Sequence, residues 1–219
     1  FWTKFFADHG YLGFSEPVKR LLYNGYINAP DGLKMSKSKG NVIDPLDVID
    51  SGYGADTLRT YEMFIGPYEL DAIWNTGGIG GVYRFLNRCW SLVQEYLEAK
   101  PADKLVELDK TTQLELLRTE HVTIKKVTED IYGAQFNTAV STLMEHLNSL
   151  TKLKTAGFDR RLWQAVLSSL CQLLAPFAPH IASELYSQLN GEKCRLEQVA
   201  WPVYDEQYLV TDTVKVAVQ

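Results

Sequence analysis

The stretch Lys34-Met35-Ser36-Lys37-Ser38-Lys39-Gly40-Asn41 places three lysines and two serines within eight residues and closes on Gly-Asn. Three ammonium groups this close repel one another, so an anion faces them for at least part of the working cycle. Small serines and a glycine let the backbone approach that anion, and hydroxyl and N–H groups donate to it. The physical reading is a phosphate-gripping loop, and the competing one is a solvated lysine-rich turn. Upstream, Glu16 to Asn24 reads as a helix with Val18, Leu21 and Leu22 inward and Gly25 as its stop. Tyr26-Ile27-Asn28 then reads as a short strand, Ala29-Pro30-Asp31-Gly32 as a turn, and Leu33-Lys34-Met35 as the hairpin partner. That arrangement puts the lysine loop at the end of a hairpin, with Gly32 and Gly40 as hinges.

Downstream, Asp44 reads as an N-cap, with Pro45 at the first helical position and a helix to about Asp50. Ser51 to Gly54 breaks it. Ala55 to Ile65 is the next helix, with Leu58, Tyr61, Glu62 and Ile65 at helical spacing. At the N-terminus, Phe1, Trp2, Phe5 and Phe6 suggest a short helix with one buried aromatic stripe, ended at His9-Gly10. Glycines 77, 78, 80 and 81 fail as a dinucleotide fingerprint, because Tyr83 stands where the third glycine is needed and no strand precedes. They read instead as close helix packing or a tight entry into a helix over Val82 to Glu98, whose stripe is Val82, Phe85, Leu86, Cys89, Trp90, Val93 and Leu97. Lys100 to Asp103 reads as a linker.

From Leu108 onward the pattern is helical. Leu114, Leu117, His121, Ile124, Val127 and Ile131 form one stripe, and Phe136, Ala139, Val140, Leu143, Leu147 and Leu150 a second. A third helix covers Leu162 to Leu174. A fourth covers His180 to Leu189, after the Pro176 and Pro179 hinge. Four amphipathic helices with short connections predict an antiparallel bundle. Trp163 and Trp201 read as packing residues.

The chain has 219 residues, enough to bury a real core. Net charge is −5, and residues 1–60 are balanced, so the excess of acid lies in the remainder. A globally basic nucleic-acid binder is excluded, and any RNA contact has to use local basic patches. Lys125-Lys126, Lys152 with Lys154, and Arg160-Arg161 are such pairs. Cys89, Cys171 and Cys194 lack metal-ligand spacing and read as reduced thiols. His9, His121, His146 and His180 stand alone, and no Gly-x4-Gly-Lys-Ser/Thr run exists, which removes a P-loop nucleotidase. No apolar run reaches the roughly 18–20 residues of a membrane span. The chain opens on Phe1-Trp2 and closes on Val214 to Gln219, a strand barely begun, so the expectation is a piece of a longer polypeptide.

Lys34-Met35-Ser36-Lys37-Ser38 resembles the signature loop of the class I aminoacyl-tRNA synthetases. Gly40-Asn41-Val42, Asp44-Pro45 and Tyr53-Gly54-Ala55-Asp56-Thr57-Leu58-Arg59 are similar to the residues downstream of the loop in that class. Glu62-Met63-Phe64, Gly66-Pro67, Trp74 and Arg84-Phe85-Leu86-Asn87-Arg88 resemble the leucyl branch. So do the Phe1-Trp2 opening and the run from Ile124 to Asp130. The resemblance implies a mainly α fold. Residues 1–70 would be the end of a Rossmann-type catalytic domain, carrying the loop hairpin and stem-contact helices. Residues 71–219 would be an antiparallel helical-bundle anticodon-binding domain, truncated at its end.

The function implied is that of a piece of a leucine–tRNA ligase, which activates leucine with ATP and transfers it to tRNA-Leu. Lys37 is then the main ATP contact and catalytic cation and Lys34 the second, with Met35, Ser36 and Ser38 completing the ATP loop. Arg84, Arg88, Lys125, Lys126, Arg160 and Arg161 are candidate tRNA contacts. Mg2+ would arrive bound to ATP, with no metal site in the chain. The implied protein is a cytoplasmic monomer without membrane contact. The class's His-containing turn, its leucine pocket and its editing domain have no counterpart here, so the chain alone is expected to be inactive. An isoleucyl, valyl or methionyl relative, and a stand-alone RNA-binding module, are the alternatives.

Overall fold

The structure is a computed structural model that describes residues 1–99 and 105–210. The expected linker at 100–103 and the strand at 214–219 lie outside the described residues. Within them the chain is mainly helical. The helices are α1 (Trp2–Asp8), α2 (Pro45–Val48), α3 (Gly54–Phe64), α4 (Thr76–Ala99), α5 (Lys110–Tyr132), α6 (Phe136–Leu153), α7 (Leu162–Leu174) and α8 (Pro179–Asn190). A single parallel pair, β1 (Ile27–Asn28) with β2 (Ala72–Ile73), is the sheet among the described residues.

The main core lies among α4 to α8. Trp163, Phe177, Leu143, Leu147, Leu167 and Leu170 are buried there, and Phe158 meets the Trp163 ring edge-on at 4.9 Å. A second, smaller core sits beneath the lysine loop. It holds Leu58 and Tyr61 of α3, Trp74, and Ile79 and Val82 of α4. Because α4 is 24 residues long, roughly 36 Å at 1.5 Å per residue, its start serves the small core and its middle the large one. The glycines now read as the opening turns of α4, and the short β2 does precede them where no strand was expected, although Tyr83 still stands in place of the third glycine of a dinucleotide fingerprint. A side chain at Gly78 would press on the Tyr61 ring at 3.0 Å, so glycine there lets α4 lie close on α3.

Asp56 joins the two cores. Its Oδ2 accepts the Ile181 N–H (2.7 Å), while its Oδ1 accepts the His180 N–H (3.4 Å) and lies 2.7 Å from His180 Nδ1. These are the first two N–H donors of α8, since Pro179 has none, and the helix's own N-cap, Ala178, has no side-chain acceptor. A carboxylate of α3 therefore does the work of a helix cap, and its charge complements the dipole of α8.

Several expectations need correction. Residues 16–24 are not helical, and Val18, Leu21 and Leu22 are exposed. A nine-residue helix with no buried face has too little to offset its nucleation cost. The aromatics of α1 stack on one another but are not buried within this chain. Leu33–Met35 form no strand for the expected hairpin: Ala72 and Trp74 donate to the Tyr26 and Asn28 carbonyls (both 2.9 Å) on one edge of β1, and on the other edge only the turn-closing bond from Ala29 N–H to Leu33 O (2.9 Å) is made among the described residues. Finally, α5 is rotated from the expected phase over its first half. Leu116, Glu120 and Thr123 are buried, whereas Leu114 is 46% exposed.

Gly25 has a different reason from the helix stop assigned to it. A Cβ there would overlap the Leu70 carbonyl, and the Gly25 N–H donates to Tyr68 O at 2.9 Å. Backbone meets backbone with no room for a side chain. Gly25→Ala is therefore expected to destabilise the β1–β2 junction by about 1–3 kcal/mol. Protection of the Ala72 and Trp74 amides in hydrogen exchange would fall, and unchanged protection would refute the steric argument.

Candidate functional site

The lysine loop is ordered by its neighbours in sequence. Ala29-Pro30-Asp31-Gly32 forms the expected turn, closed by Gly32 N–H to Ala29 O (2.8 Å) and Ala29 N–H to Leu33 O (2.9 Å). Ser36 is extended, Lys37–Lys39 make one 3-10 turn, and Gly40 reverses the chain in the left-handed region at φ 67°. Glycine takes that conformation at little cost, and no atom lies within 4 Å of where its Cβ would stand. Met35 is half-buried and packs on the small core with Ile27, Ile43 and Val48. The apolar residue in the middle of the cationic run thus anchors the loop, while Lys34, Lys37 and Lys39 stay exposed.

The polar groups of the loop face one another. The Ser36 and Ser38 hydroxyls are 2.8 Å apart, and Asn41 Oδ1 accepts the Ser36 N–H at 2.9 Å. The Lys34 ammonium rests over the Tyr26 ring, 4.1 Å from its centroid. Such an exposed cation–π contact is worth about 0.5–1 kcal/mol, weak enough for a phosphate to displace. Lys37 and Lys39 have no carboxylate partner within ion-pair distance among the described residues, so these cations are available to an anion.

The six candidate RNA contacts do not form one patch. Arg84 and Arg88 are one turn apart on α4. Arg88 donates to Asn148 Oδ1 (2.9 Å) and Thr151 Oγ1 (3.4 Å) of α6. Lys125 and Lys126 lie on α5, already paired with Glu129 (4.0 Å) and Asp130 (2.5 Å). Lys154 is likewise paired, with Glu95. Arg160 and Arg161 precede α7 and are exposed. The Arg160 carbonyl accepts from Tyr96, twelve residues beyond Arg84 on α4 and so roughly 18 Å along its axis. Trp74, one of the residues that carry the leucyl resemblance, is 4% exposed and belongs to the small core. Asn41 and Asp56 were missed as site residues. The Gly-Asn ending of the octet was the available signal for the first, and nothing local pointed to the second.

Two family models match the sequence: tRNA synthetases class I (I, L, M and V) over residues 6–74, and the anticodon-binding domain of tRNA ligase over residues 113–219. Leucine–tRNA ligase of Thermotoga petrophila is 43% identical over all of this chain, and that of Herpetosiphon aurantiacus 42%. The chain belongs to the leucyl-tRNA synthetase family. It spans 27% of the Thermotoga petrophila relative's length and 26% of the Herpetosiphon aurantiacus one's.

Among solved structures, a leucyl-tRNA synthetase of Agrobacterium radiobacter in a ternary complex with tRNA and LeuAMS matches 96% of the chain and 28% of its own. Its TM-score is 0.82 at 30% identity. A Mycobacterium tuberculosis methionyl-tRNA synthetase in complex with methionyl-adenylate matches 84% of the chain and 40% of its own. Its TM-score of 0.65 at 20% identity speaks for a shared fold alone. The leucyl family membership sets aside the isoleucyl, valyl and methionyl alternatives. In the leucyl-tRNA synthetase family frame, the lysine loop falls within the class I match, and α6 to α8 with all but the first three residues of α5 fall within the anticodon-binding match. No helix among the described residues is long and apolar enough to cross a membrane.

Proposed function

We propose that this chain is the part of a leucine–tRNA ligase that grips the phosphates of ATP and steadies tRNA-Leu while leucine is activated and transferred. The observation that carries the reading is the loop at 34–38, whose exposed ammonium and hydroxyl groups stand on an apolar anchor at Met35. In the first half-reaction the leucine carboxylate attacks the α-phosphorus of ATP and pyrophosphate leaves. Lys37 faces the phosphate charge that builds as the bond breaks, Lys34 adds a second cation, and Ser36 and Ser38 donate hydrogen bonds. Mg2+ enters with ATP, since ammonium and hydroxyl donors suit phosphate oxygens rather than a metal.

Residues 1–70 are then the end of the catalytic domain. Residues 71–219 are an up-and-down bundle whose Arg84, Arg88, Arg160 and Arg161 reach tRNA phosphates, with α4 running through both cores. Lys125 and Lys126 contribute less, because each already has a carboxylate. We place the whole enzyme in the cytoplasm as a monomer.

Two outcomes test the division of labour. The isolated chain is expected to show no leucine-dependent ATP–pyrophosphate exchange, and measurable exchange would refute its dependence on the rest of the enzyme. It is also expected to bind tRNA-Leu with a strong salt dependence. With about three to four phosphate contacts, affinity should fall on the order of 10–10²-fold between 50 and 200 mM salt. A salt-independent affinity would remove the arginines from the tRNA surface.

A further inference from the structure

The lysine loop carries its own brace. Asn41 lies just past the turn, and its side-chain amide points back across it. Oδ1 accepts the Ser36 N–H at 2.9 Å, while Nδ2 makes longer contacts of 3.4 Å to the Lys34 carbonyl and 3.5 Å to Asp31 Oδ2. One side-chain amide thus stands where a neighbouring strand's peptide group would, accepting from residue 36 and donating to residue 34. Asp31 is held in turn, because its Oδ1 accepts the Leu33 N–H at 2.9 Å. The brace closes the six-residue ring from Ser36 to Asn41, inside which Lys37–Lys39 make their 3-10 turn. It also holds the backbone carbonyl of Lys34, whose ammonium rests over the Tyr26 ring.

We propose that Asn41 is a positioning residue for leucine activation. Its side-chain amide is engaged by Ser36, Lys34 and Asp31, and it sets the spacing of Lys34 and Lys37 before ATP arrives. Cations fixed in advance stabilise developing phosphate charge without reorganising during the step. A loop freed of the brace samples many shapes and presents both lysines together only part of the time. This inference rests on the phosphate-loop reading.

The test uses the full-length enzyme and measures the two half-reactions separately, each normalised to active sites. Asn41→Ala is expected to slow leucyl-adenylate formation by about ten-fold, the scale of the hydrogen bonds lost. Transfer from preformed adenylate to tRNA-Leu should stay within about two-fold of the parent enzyme. Asn41→Asp keeps the acceptor for Ser36 but sets a carboxylate against Asp31, and adding Asp31→Asn should recover part of its rate. Hydrogen exchange at the Ser36 amide should quicken in Asn41→Ala. Normal adenylate formation in Asn41→Ala, or an equal fall in both half-reactions, overturns the proposal. A slow Lys37→Ala beside a normal Asn41→Ala overturns this inference alone. A normal Lys37→Ala overturns the phosphate-loop reading and this inference with it.

Discussion

Lys37→Ala, made in the full-length synthetase, is expected to slow leucine-dependent ATP–pyrophosphate exchange by about 10²–10³-fold. Lys37 opens the single 3-10 turn of the loop, is exposed, and has no carboxylate partner within ion-pair distance among the described residues. Its charge is therefore free for an incoming phosphate. The leaving pyrophosphate gains negative charge as the bond to the α-phosphorus breaks, so a cation placed there lowers the barrier more than it tightens ground-state binding. The larger change should accordingly fall on kcat, with a smaller rise in the KM for ATP and an unchanged KM for leucine. Lys37→Arg keeps the charge but not the compact ammonium and should retain part of the rate. Exchange within about three-fold of the parent enzyme in Lys37→Ala would sink the assignment.

Acidification should weaken the fold through His146. This residue of α6 is fully buried, and neither ring nitrogen has a hydrogen-bond partner among the described residues. Burial holds the imidazole neutral and pushes its pKa down to about 4. Above pH 6.5 the ring is neutral in both folded and unfolded chains and contributes no pH dependence. Below that, the unfolded chain takes up a proton that the folded chain refuses until about pH 4, so stability is lost across this window.

The full loss is about 3 kcal/mol. Glu120 of α5 acts in the opposite sense. Burial raises its pKa, against the pull of a hydrogen bond with Ser169, so it adds stability as pH falls through its folded value. Comparing the parent with His146→Leu cancels that contribution. Denaturant unfolding at pH 7, 5.5 and 4.5 should show the variant gaining on the parent as pH drops, and a constant difference would refute the assignment.

Legibility from sequence followed range. The stripe of α6, the extents of α7 and α8 and the Asp44 cap were readable because each is written within a few residues; Asp44 accepts the Leu46 N–H at 2.8 Å as its pattern requires. The loop octet was readable for the same reason, being contiguous. What sequence misplaced depends on partners far along the chain. Residues 16–24 have helical spacing but no face to bury, so periodicity alone could not make a helix there. The strand at Ile27 pairs with Ala72, 45 residues on, where the Leu70–Asp71 backbone lies against Gly25, and Leu33 only closes a turn with Ala29. In α5 the buried side includes Glu120 and Thr123, polar residues that a hydrophobic stripe passes over. Within the site, residue types announced the cations, whereas the Asn41 amide bridging Lys34 and Ser36 appears only when the turn is folded.

The reach of Asp56 has a consequence for recombination between relatives. The opening amides of α8 find their acceptor 124 and 125 residues earlier in the chain, on a helix just beyond the lysine loop. That end of the bundle takes its cap from outside its own residues, so the first turn of α8 is fully capped only once α3 has docked. A chimera that grafts a foreign bundle onto this portion inherits a working junction when donor and acceptor match at this point, and an open one when they do not.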